Sequence, residues 1–281
     1  MTLLDEANAK QSAYWNGEAG RRWTAIQESQ DRLFSEITAA LFEAAAPLPG
    51  ETVLDVGCGA GETTLKAASL TGAALGVDIS EPLLARARER AAQNGSPARF
   101  ALADATTYDF SDHAADLLLS RFGVMFFAQP AKSFANLRRG MKPGGRVAFV
   151  CWRSPELNPW LMTPLAAALK HLPPQPETAL DDPGPFAFRD EARVRGILQS
   201  AGFTQVSFAP RDFELDYADG GGLDNAVDKC LAVGPTSRAL DGQPDATVQA
   251  VRAEVRETLA PYLKGGMVAL GGAVWIVGAR A

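Results

Sequence analysis

The middle of this chain alternates between two patterns of apolar and polar residues. From Glu51 to Cys151, short apolar runs of strand length are separated by longer stretches in which apolar residues recur at helical spacing. Such an alternation predicts parallel strands joined by crossover helices. The predicted strands are Thr52–Val56, Ala73–Asp78, Ala98–Ala103, Ala115–Ser120 and Arg146–Cys151.

Two of the connecting helices have clear boundary signals. After the second strand, Ser80 occupies an N-cap position, Pro82 follows in the first turn, and Gly95 lies just beyond the end. Another helix is predicted over Ala131–Met141, and the turn Lys142–Gly145 separates it from the fifth strand. The predicted fold class is therefore α/β, with a doubly wound, Rossmann-like sheet.

The segments on either side of this alternation predict additional elements. Residues 1–46 have apolar side chains at helical spacing, among them Leu33, Ile37 and Leu41, and are predicted to form an N-terminal helical cap. Residues 47–281 form the main predicted domain. Within it, residues 153–189 are rich in proline and contain an apolar helix candidate at Trp160–Leu172, which predicts an inserted lid.

The C-terminal third predicts two more strands and the helices around them. Asp190 caps a helix that Gly202 ends, and Phe203–Phe208, extending toward Leu215, follows as a strand candidate. The remaining candidates are helices near Asn225–Val233 and Asp245–Leu263 and a strand at Val268–Val277. We expect the last two strands to pair antiparallel at the edge of the sheet.

The distribution of charge narrows the possible partners. The formal net charge is −6, and basic residues form nothing longer than pairs such as Arg21–Arg22 and Arg138–Arg139. Because binding to duplex nucleic acid needs a concentrated basic face, we expect a small-molecule substrate and no nucleic acid. The sequence leaves the oligomeric state open between a monomer and a homodimer.

The chain has no sequence signal for a membrane or a metal. No window reaches the roughly 20 apolar residues of a membrane span, and Met1–Lys10 has neither a basic leader nor an apolar stretch. Cys58, Cys151 and Cys230 are far apart and include no Cys-x-x-Cys pair. We therefore expect a cytoplasmic protein with reduced thiols and no metal site.

A glycine-rich turn, Val53–Gly61, follows the first predicted strand and leads into a helix. It contains Gly57, Cys58, Gly59 and Gly61. Such glycines permit positive φ angles and let a ligand lie against the backbone at a helix N-terminus. A dinucleotide-binding turn would place its third glycine where this chain has Glu62, and Asp55 would repel a pyrophosphate.

Two further acids follow neighbouring predicted strands. Asp78, followed by Ile79, ends the second strand, where a carboxylate can accept both hydroxyls of a ribose. Asp104 follows the third strand and can accept an adenine amino group, while the backbone N–H of Ala105 meets the ring. Asp55 can hold an ammonium group directly or through water. Together these acids predict a pocket for S-adenosylmethionine.

These residues resemble the class I S-adenosylmethionine-dependent methyltransferases, including the branch similar to ubiquinone and menaquinone biosynthesis enzymes. The resemblance covers Glu51–Cys151. Val53–Gly61 is similar to the family's first motif, Asp78 to its ribose acid, and Asp104–Ala105 to its adenine-contacting segment. The resemblance implies a seven-stranded sheet whose last strand is antiparallel, with S-adenosylmethionine as cofactor.

The same resemblance extends to residues outside the glycine-rich turn. Arg121 and Phe122 belong to a segment similar to the end of strand four that faces cofactor and substrate. Tyr14, Trp15 and Trp23 look like the N-terminal segment that covers the cofactor in small-molecule members of the family, although packing between helices explains Trp23 equally well.

Aromatic and amide side chains near the insertion predict the kind of acceptor. The candidate substrate contacts are Phe122, Phe126, Trp152, Asn158, Trp160 and Phe186. For the phenylalanines after strand four, burial in the core is the alternative. These side chains predict an apolar or aromatic acceptor.

The predicted chemistry is in-line methyl transfer, in which positioning and exclusion of water supply most of the acceleration. Of the two histidines, His171 is the better candidate for a general base, and a surface role is the alternative for both His171 and His113. Two other functions remain open. They are an S-adenosylmethionine-binding enzyme that performs an elimination or rearrangement, and a non-catalytic binding protein.

Overall fold

A twisted sheet with helices on both faces forms the centre of the protein, in a computed structural model that describes residues 3–174, 179 and 182–281. The strands are β1 (Thr52–Val56), β2 (Ala73–Asp78), β3 (Arg99–Leu102), β4 (Ala115–Arg121), β5 (Met141–Trp152), β6 (Thr204–Asp216), β7 (Leu263–Lys264) and β8 (Met267–Arg280). The helices are α1 (Leu3–Asn16), α2 (Glu18–Ala25), α3 (Gln27–Leu33), α4 (Ser35–Ala45), α5 (Glu62–Thr71), α6 (Glu81–Gln93), α7 (Pro130–Arg139), α8 (Pro159–Leu169), α9 (Glu191–Ser200), α10 (Gly222–Ala232), α11 (Gly234–Leu240) and α12 (Asp245–Leu259).

The order of the strands confirms the predicted fold class. Seven strands lie in the order β3-β2-β1-β4-β5-β8-β6, and the two-residue β7 pairs with β8. β1 to β5 are parallel, whereas β8 runs antiparallel to both β5 and β6. The direction of winding reverses between β1 and β4, and ligands of open α/β sheets bind at such a switch point.

The central strands are buried because helices cover both faces of the sheet. In β4, Leu117, Leu118 and Leu119 are completely buried, and β1 is buried from Val53 to Val56. Burying a leucine side chain stabilises a fold by about 1.5–3 kcal/mol, so these strands form a rigid platform. Their carboxyl ends meet at one edge of the sheet.

The N-terminal helices are fastened to this platform at two places. α4 buries Ile37 and Leu41 completely. At the end of α1, the Asn16 side chain accepts a hydrogen bond from the Glu81 backbone N–H at 3.0 Å and donates to the Ile79 carbonyl at 2.8 Å. Asn16 therefore caps α6, while the hydroxyl of Ser80, which occupies the N-cap position as predicted, donates to the Trp15 carbonyl at 2.7 Å.

Several predicted boundaries were wrong. The predicted turn Lys142–Gly145 lies inside β5, where the pairing with β4 is irregular and Gly144 has a φ of +76°. The helix predicted to reach Leu172 ends at Leu169, and the one predicted to reach Leu263 ends at Leu259. α11 was not predicted. Of the proposed insertion, residues 175–178 and 180–181 lie outside the described residues. No helix in the described part of the chain has the length and apolar character to cross a bilayer.

Candidate functional site

A cavity of about 830 Å³ opens at the carboxyl ends of the central strands. It brings together most of the residues that the sequence predicted for the site. Those in its wall are Tyr14, Trp15, Trp23, Gly57, Cys58, Gly59, Asp78, Ile79, Asp104, Ala105, Arg121, Phe122, Phe126, Trp152, Trp160 and Phe186.

Four predicted site residues do not lie in the cavity wall. Asn158 is buried elsewhere, and its side chain fastens the segment after β5 to the backbone of Ala273 on β8. His171 lies at the surface, 3.3 Å from the carboxylate of Glu254, so the structure does not support it as a general base. Asp55 and Gly61 belong to the glycine-rich turn but do not line the cavity.

Each glycine of the turn is needed for a different structural reason. A Cβ on Gly57 would lie 2.6 Å from the Cα of Gly123, so the turns after β1 and β4 touch through their backbones. A Cβ on Gly61 would lie 2.9 Å from both Ala87 and Phe100. Gly59, with a φ of +53°, has open space at its Cβ position, and it is the glycine whose backbone a ligand can approach.

Asp78 presents its carboxylate to the cavity while two backbone groups hold it. Its oxygens accept hydrogen bonds from the N–H groups of Gly59 at 2.8 Å and Ser80 at 2.9 Å. Burial raises the pKa of Asp78, and these backbone hydrogen bonds oppose the rise. Each oxygen retains a free lone pair, so the carboxylate can accept hydroxyl groups of a ribose.

Asp55 organises the turn from behind the wall. It is completely buried, and one oxygen accepts the hydroxyl groups of Thr63 and Thr64 at 2.6 Å each. Its other oxygen has no hydrogen-bond partner among the described residues. Burial raises the pKa of Asp55 to about 6, against the threonine hydroxyls and Arg121, which lower it. Thr63, rather than Asp55, reaches the cavity, so contact of Asp55 with an ammonium group stays a prediction.

Asp104 and Ala105 line the cavity beside β3. One carboxylate oxygen of Asp104 accepts the Thr106 N–H at 2.8 Å, and the other accepts the side-chain amide of Asn8 on α1. A carboxylate has about four acceptor positions, so Asp104 can still accept an adenine amino group. The contact with Asn8 shows that α1 reaches this end of the cavity.

A network of charged side chains connects the wall at Arg121 to the glycine-rich turn. Arg121 lies 3.3 Å from one oxygen of Asp31, and Arg90 lies 3.0 Å from the other. Arg90 also donates to the Ala60 carbonyl at 2.7 Å and pairs with Glu62 at 2.8 Å. The network therefore fixes α3, α6 and the turn relative to one another.

The aromatic side chains of α1 and α2 close one side of the cavity. The Trp15 ring packs edge-on against Tyr14 at 5.2 Å and Phe126 at 5.3 Å between ring centres, and Trp23 lies 6.1 Å away. The guanidinium of Arg238 on α11 lies 5.1 Å from the centre of the Tyr14 ring. α11 thus contributes to the same wall.

A second group of rings lines an apolar part of the cavity. Phe122 and Trp152 are stacked with their centres 4.2 Å apart, and Trp160 lies 4.6 Å from Trp152. Phe34 closes the group at 5.4 Å from Phe122. Phe122 has a φ of +67°, a costly conformation for a residue with a side chain, and such strain is concentrated at functional sites. We call Phe34, Phe122, Trp152 and Trp160 the aromatic wall.

The sequence interpretation missed the contribution of α3 and its C-terminal neighbour. Gln27, Gln30, Asp31 and Phe34 all line the cavity. A signal was present, because Gln27 and Gln30 continue the helical spacing of Phe34, Ile37 and Leu41 along a buried face. Polar residues on an apolar face are informative, since buried polar groups are costly.

Comparison with known proteins finds a family match in the central segment. Residues 53–145 match the family described as a methyltransferase domain. An uncharacterized protein of Mycobacterium tuberculosis is 29% identical over 168 residues, which cover 60% of this chain and 59% of that protein. The ubiquinone/menaquinone biosynthesis C-methyltransferase of Klebsiella pneumoniae is 27% identical over 172 residues, which cover 57% of this chain and 68% of that enzyme.

Solved structures share the fold. Phosphoethanolamine N-methyltransferase 2 of Haemonchus contortus matches with a TM-score of 0.58 and 16% identity, over 95% of this chain and 59% of that chain. At this identity the likeness shows the fold alone. The chain also spans only about three fifths (59%) of the length of its Mycobacterium relative. Within these bounds, residues 53–145 match a methyltransferase domain, in keeping with the resemblance of the sequence to S-adenosylmethionine-dependent methyltransferases.

Proposed function

From the match to a methyltransferase domain, we propose that this chain transfers the methyl group of S-adenosylmethionine to a small apolar or aromatic acceptor. One observation carries the proposal. The glycine-rich turn, Asp78 and Asp104 open into the same cavity as the aromatic wall. A single space therefore has polar groups suited to an adenosyl ligand and an apolar surface suited to an acceptor.

The residues of the cavity fit the cofactor in a defined way. Asp78 would hold the ribose hydroxyls, Asp104 and Ala105 the adenine, and the backbone at Gly57–Gly59 the amino-acid part. When bound, S-adenosylmethionine supplies a methyl group on a positively charged sulfur. Aromatic faces attract such a cation, and Trp15, Phe122 and Phe126 line the cavity where they can contribute.

The protein's contribution to the reaction is positioning and exclusion of water. The aromatic rings that line the cavity would exclude water beside a bound acceptor, and holding the acceptor in line with the methyl group would accelerate the transfer. Neither His113 nor His171 lines the cavity in the part of the chain that the structure describes. The proposed transfer therefore uses no histidine base.

The proposal includes two covering segments. Residues 1–46 would form the cap over the cofactor, which is supported by the positions of Trp15 and Trp23 in the wall. Residues 153–189 would form the lid over the acceptor, which is supported by Trp160, Leu161 and Phe186 in the same wall. α11 is an addition to this lid that the sequence did not predict.

The remaining parts of the proposal concern partners and location. We propose a small-molecule substrate, no nucleic-acid partner, and a monomer or homodimer in the cytoplasm. The net charge of −6 supports the first two statements. Three buried, unpaired cysteines are in keeping with a reducing compartment.

The decisive experiment measures the cofactor product. The purified chain is incubated with S-adenosylmethionine and a library of phenols, quinols, amines and carboxylates, and S-adenosylhomocysteine is quantified. Methyl transfer requires one S-adenosylhomocysteine for each methylated product. Product formation without S-adenosylhomocysteine would instead support an elimination or rearrangement, and absence of S-adenosylmethionine binding in calorimetry would support a non-catalytic protein.

A further inference from the structure

The side-chain amide of Gln30 is an unpaired polar group in the cavity wall. Gln30 is 3% exposed, and neither its amide nitrogen nor its amide oxygen has a hydrogen-bond partner among the described residues. Its neighbour Gln27 differs, because its amide donates to Asp31 and accepts from Arg86 at 3.2 Å. A buried amide without partners is costly, so a ligand that pairs with both of its atoms would be favoured.

The position of Gln30 assigns this amide to the acceptor side of the cavity. Gln30 precedes Phe34 by four residues, and the Phe34 N–H donates to the Gln30 carbonyl at 3.0 Å, so the helical turn continues to Phe34 and the two residues share a face. The Phe34 ring lies 5.7 Å from Trp160 and 5.4 Å from Phe122, within the aromatic wall. The acids suited to the cofactor, Asp78 and Asp104, follow β2 and β3 instead.

We infer that Gln30 recognises the methyl acceptor through paired hydrogen bonds, which selects planar aromatic compounds that carry a donor and an acceptor side by side on one edge. A primary amide presents one N–H and one C=O on the same edge, and a cyclic lactam or a carboxylic acid presents the complementary pair. The stacked rings of the aromatic wall select a flat molecule, and the amide selects its polar edge. This inference rests on the proposed function and deepens it.

Two matched probes test the inference without any turnover. 2-Quinolone is a flat bicyclic lactam, and coumarin, in which a ring oxygen replaces the N–H, has nearly the same shape without that donor. Each is titrated by calorimetry into the chain saturated with S-adenosylhomocysteine. We expect the wild-type chain to bind 2-quinolone about 10-fold more tightly, since one hydrogen bond is lost and one buried group is left unpaired with the other probe.

Variants separate the amide from the rest of the cavity. Gln30→Leu keeps a similar volume, and we expect its affinities for the two probes to differ by no more than about 2-fold. Gln199→Leu, on the exposed face of α9, should keep the wild-type preference for 2-quinolone. Equal affinity for the two probes in the wild-type chain, or no binding of either, would overturn the inference. So would a loss of S-adenosylhomocysteine affinity in Gln30→Leu, because the amide would then serve the cofactor. If the wild-type chain does not bind S-adenosylhomocysteine at all, the proposed function itself fails.

Discussion

Asp78 is the residue on which the proposed cofactor site depends most directly. Replacing it by alanine removes the charged acceptor for the ribose and also the acceptor for the N–H groups of Gly59 and Ser80. We expect Asp78→Ala to weaken S-adenosylhomocysteine binding by about 1–3 kcal/mol in calorimetry. Asp212→Ala, at an exposed carboxylate on β6, is the control and should leave the affinity unchanged. Equal affinities for Asp78→Ala and the wild-type chain would show that the ribose lies elsewhere.

Gln30 allows a second test at this scale, on stability rather than binding. Its amide is buried and unpaired among the described residues, and replacing such a group by an apolar one of similar shape is neutral or stabilising. We therefore expect Gln30→Leu to raise the free energy of unfolding of the ligand-free chain by about 1 kcal/mol. Urea denaturation measures the change, with Gln199→Leu as the surface control. A clear destabilisation would mean that the amide has partners in solution.

Among the elements, α1 is anchored beside the site by the side chain of Asn16. Asn16 joins α1 to the turn after β2 by hydrogen bonds to Ile79 and Glu81. We expect Asn16→Ala to weaken S-adenosylhomocysteine binding and to increase hydrogen exchange in α1, because Tyr14 and Trp15 lose their anchor. The loss of a helix cap should cost about 1 kcal/mol of global stability. Asn94→Ala, at the other end of α6, is the matched control, and equal exchange of α1 in both variants would contradict the assigned anchor.

Asp55 joins β1 to α5 and makes the stability of that unit depend on pH. Its pKa is about 6 in the folded chain and about 3.9 when unfolded, so the folded state favours the protonated form. Ionised Asp55 lowers the free energy of unfolding. This destabilisation is largest above about pH 6 and disappears as the pH falls toward about 4. The free energy of unfolding of Asp55→Asn, relative to that of the wild-type chain, should therefore be highest above about pH 6. This difference between variant and wild type should fall by about 3 kcal/mol by about pH 4.

The control for this pH dependence is a carboxylate with the opposite shift. The Lys142 ammonium beside Asp116 lowers the pKa of that carboxylate, so its stabilising effect is lost as the pH falls. Urea unfolding of Asp55→Asn and Asp116→Asn between pH 4 and 8 should thus give differences from wild type that change in opposite directions. If the stability difference between Asp55→Asn and the wild-type chain did not change with pH, burial would not raise the pKa of Asp55.

Secondary-structure elements were predicted correctly where the local sequence pattern was strong. β1, β2, β4 and their glycine and acid signals were predictable, because each combines a buried strand with a fixed loop motif. α11 was missed because it is short and begins with Gly234 and Pro235, which predict a turn. The aromatic wall was only partly predictable. Phe34 and Trp160 are distant in sequence and meet through tertiary packing at 5.7 Å.

At the scale of the whole molecule, one core connects the covering helices to the sheet. Buried residues from Leu33 on α3 to Ala279 on β8 belong to a single contiguous cluster. The cavity lies where this cluster meets the carboxyl ends of the strands, and helices α1, α3, α8 and α11 all contribute to its wall. The wall therefore combines residues from Asn8 to Ala239, so a ligand in the cavity can contact elements that are far apart in the sequence.

This arrangement predicts that the cofactor product stabilises the chain as one unit. S-adenosylhomocysteine at 100 times its Kd should raise the free energy of unfolding by about 2.7 kcal/mol and the Tm by about 5 °C or more. Differential scanning calorimetry should show one transition that moves as a whole. Asp78→Ala is the control, and its shift at the same ligand concentration should be smaller. Two transitions, of which only one moves with ligand, would show that the N-terminal helices unfold separately and do not share the cofactor's binding energy.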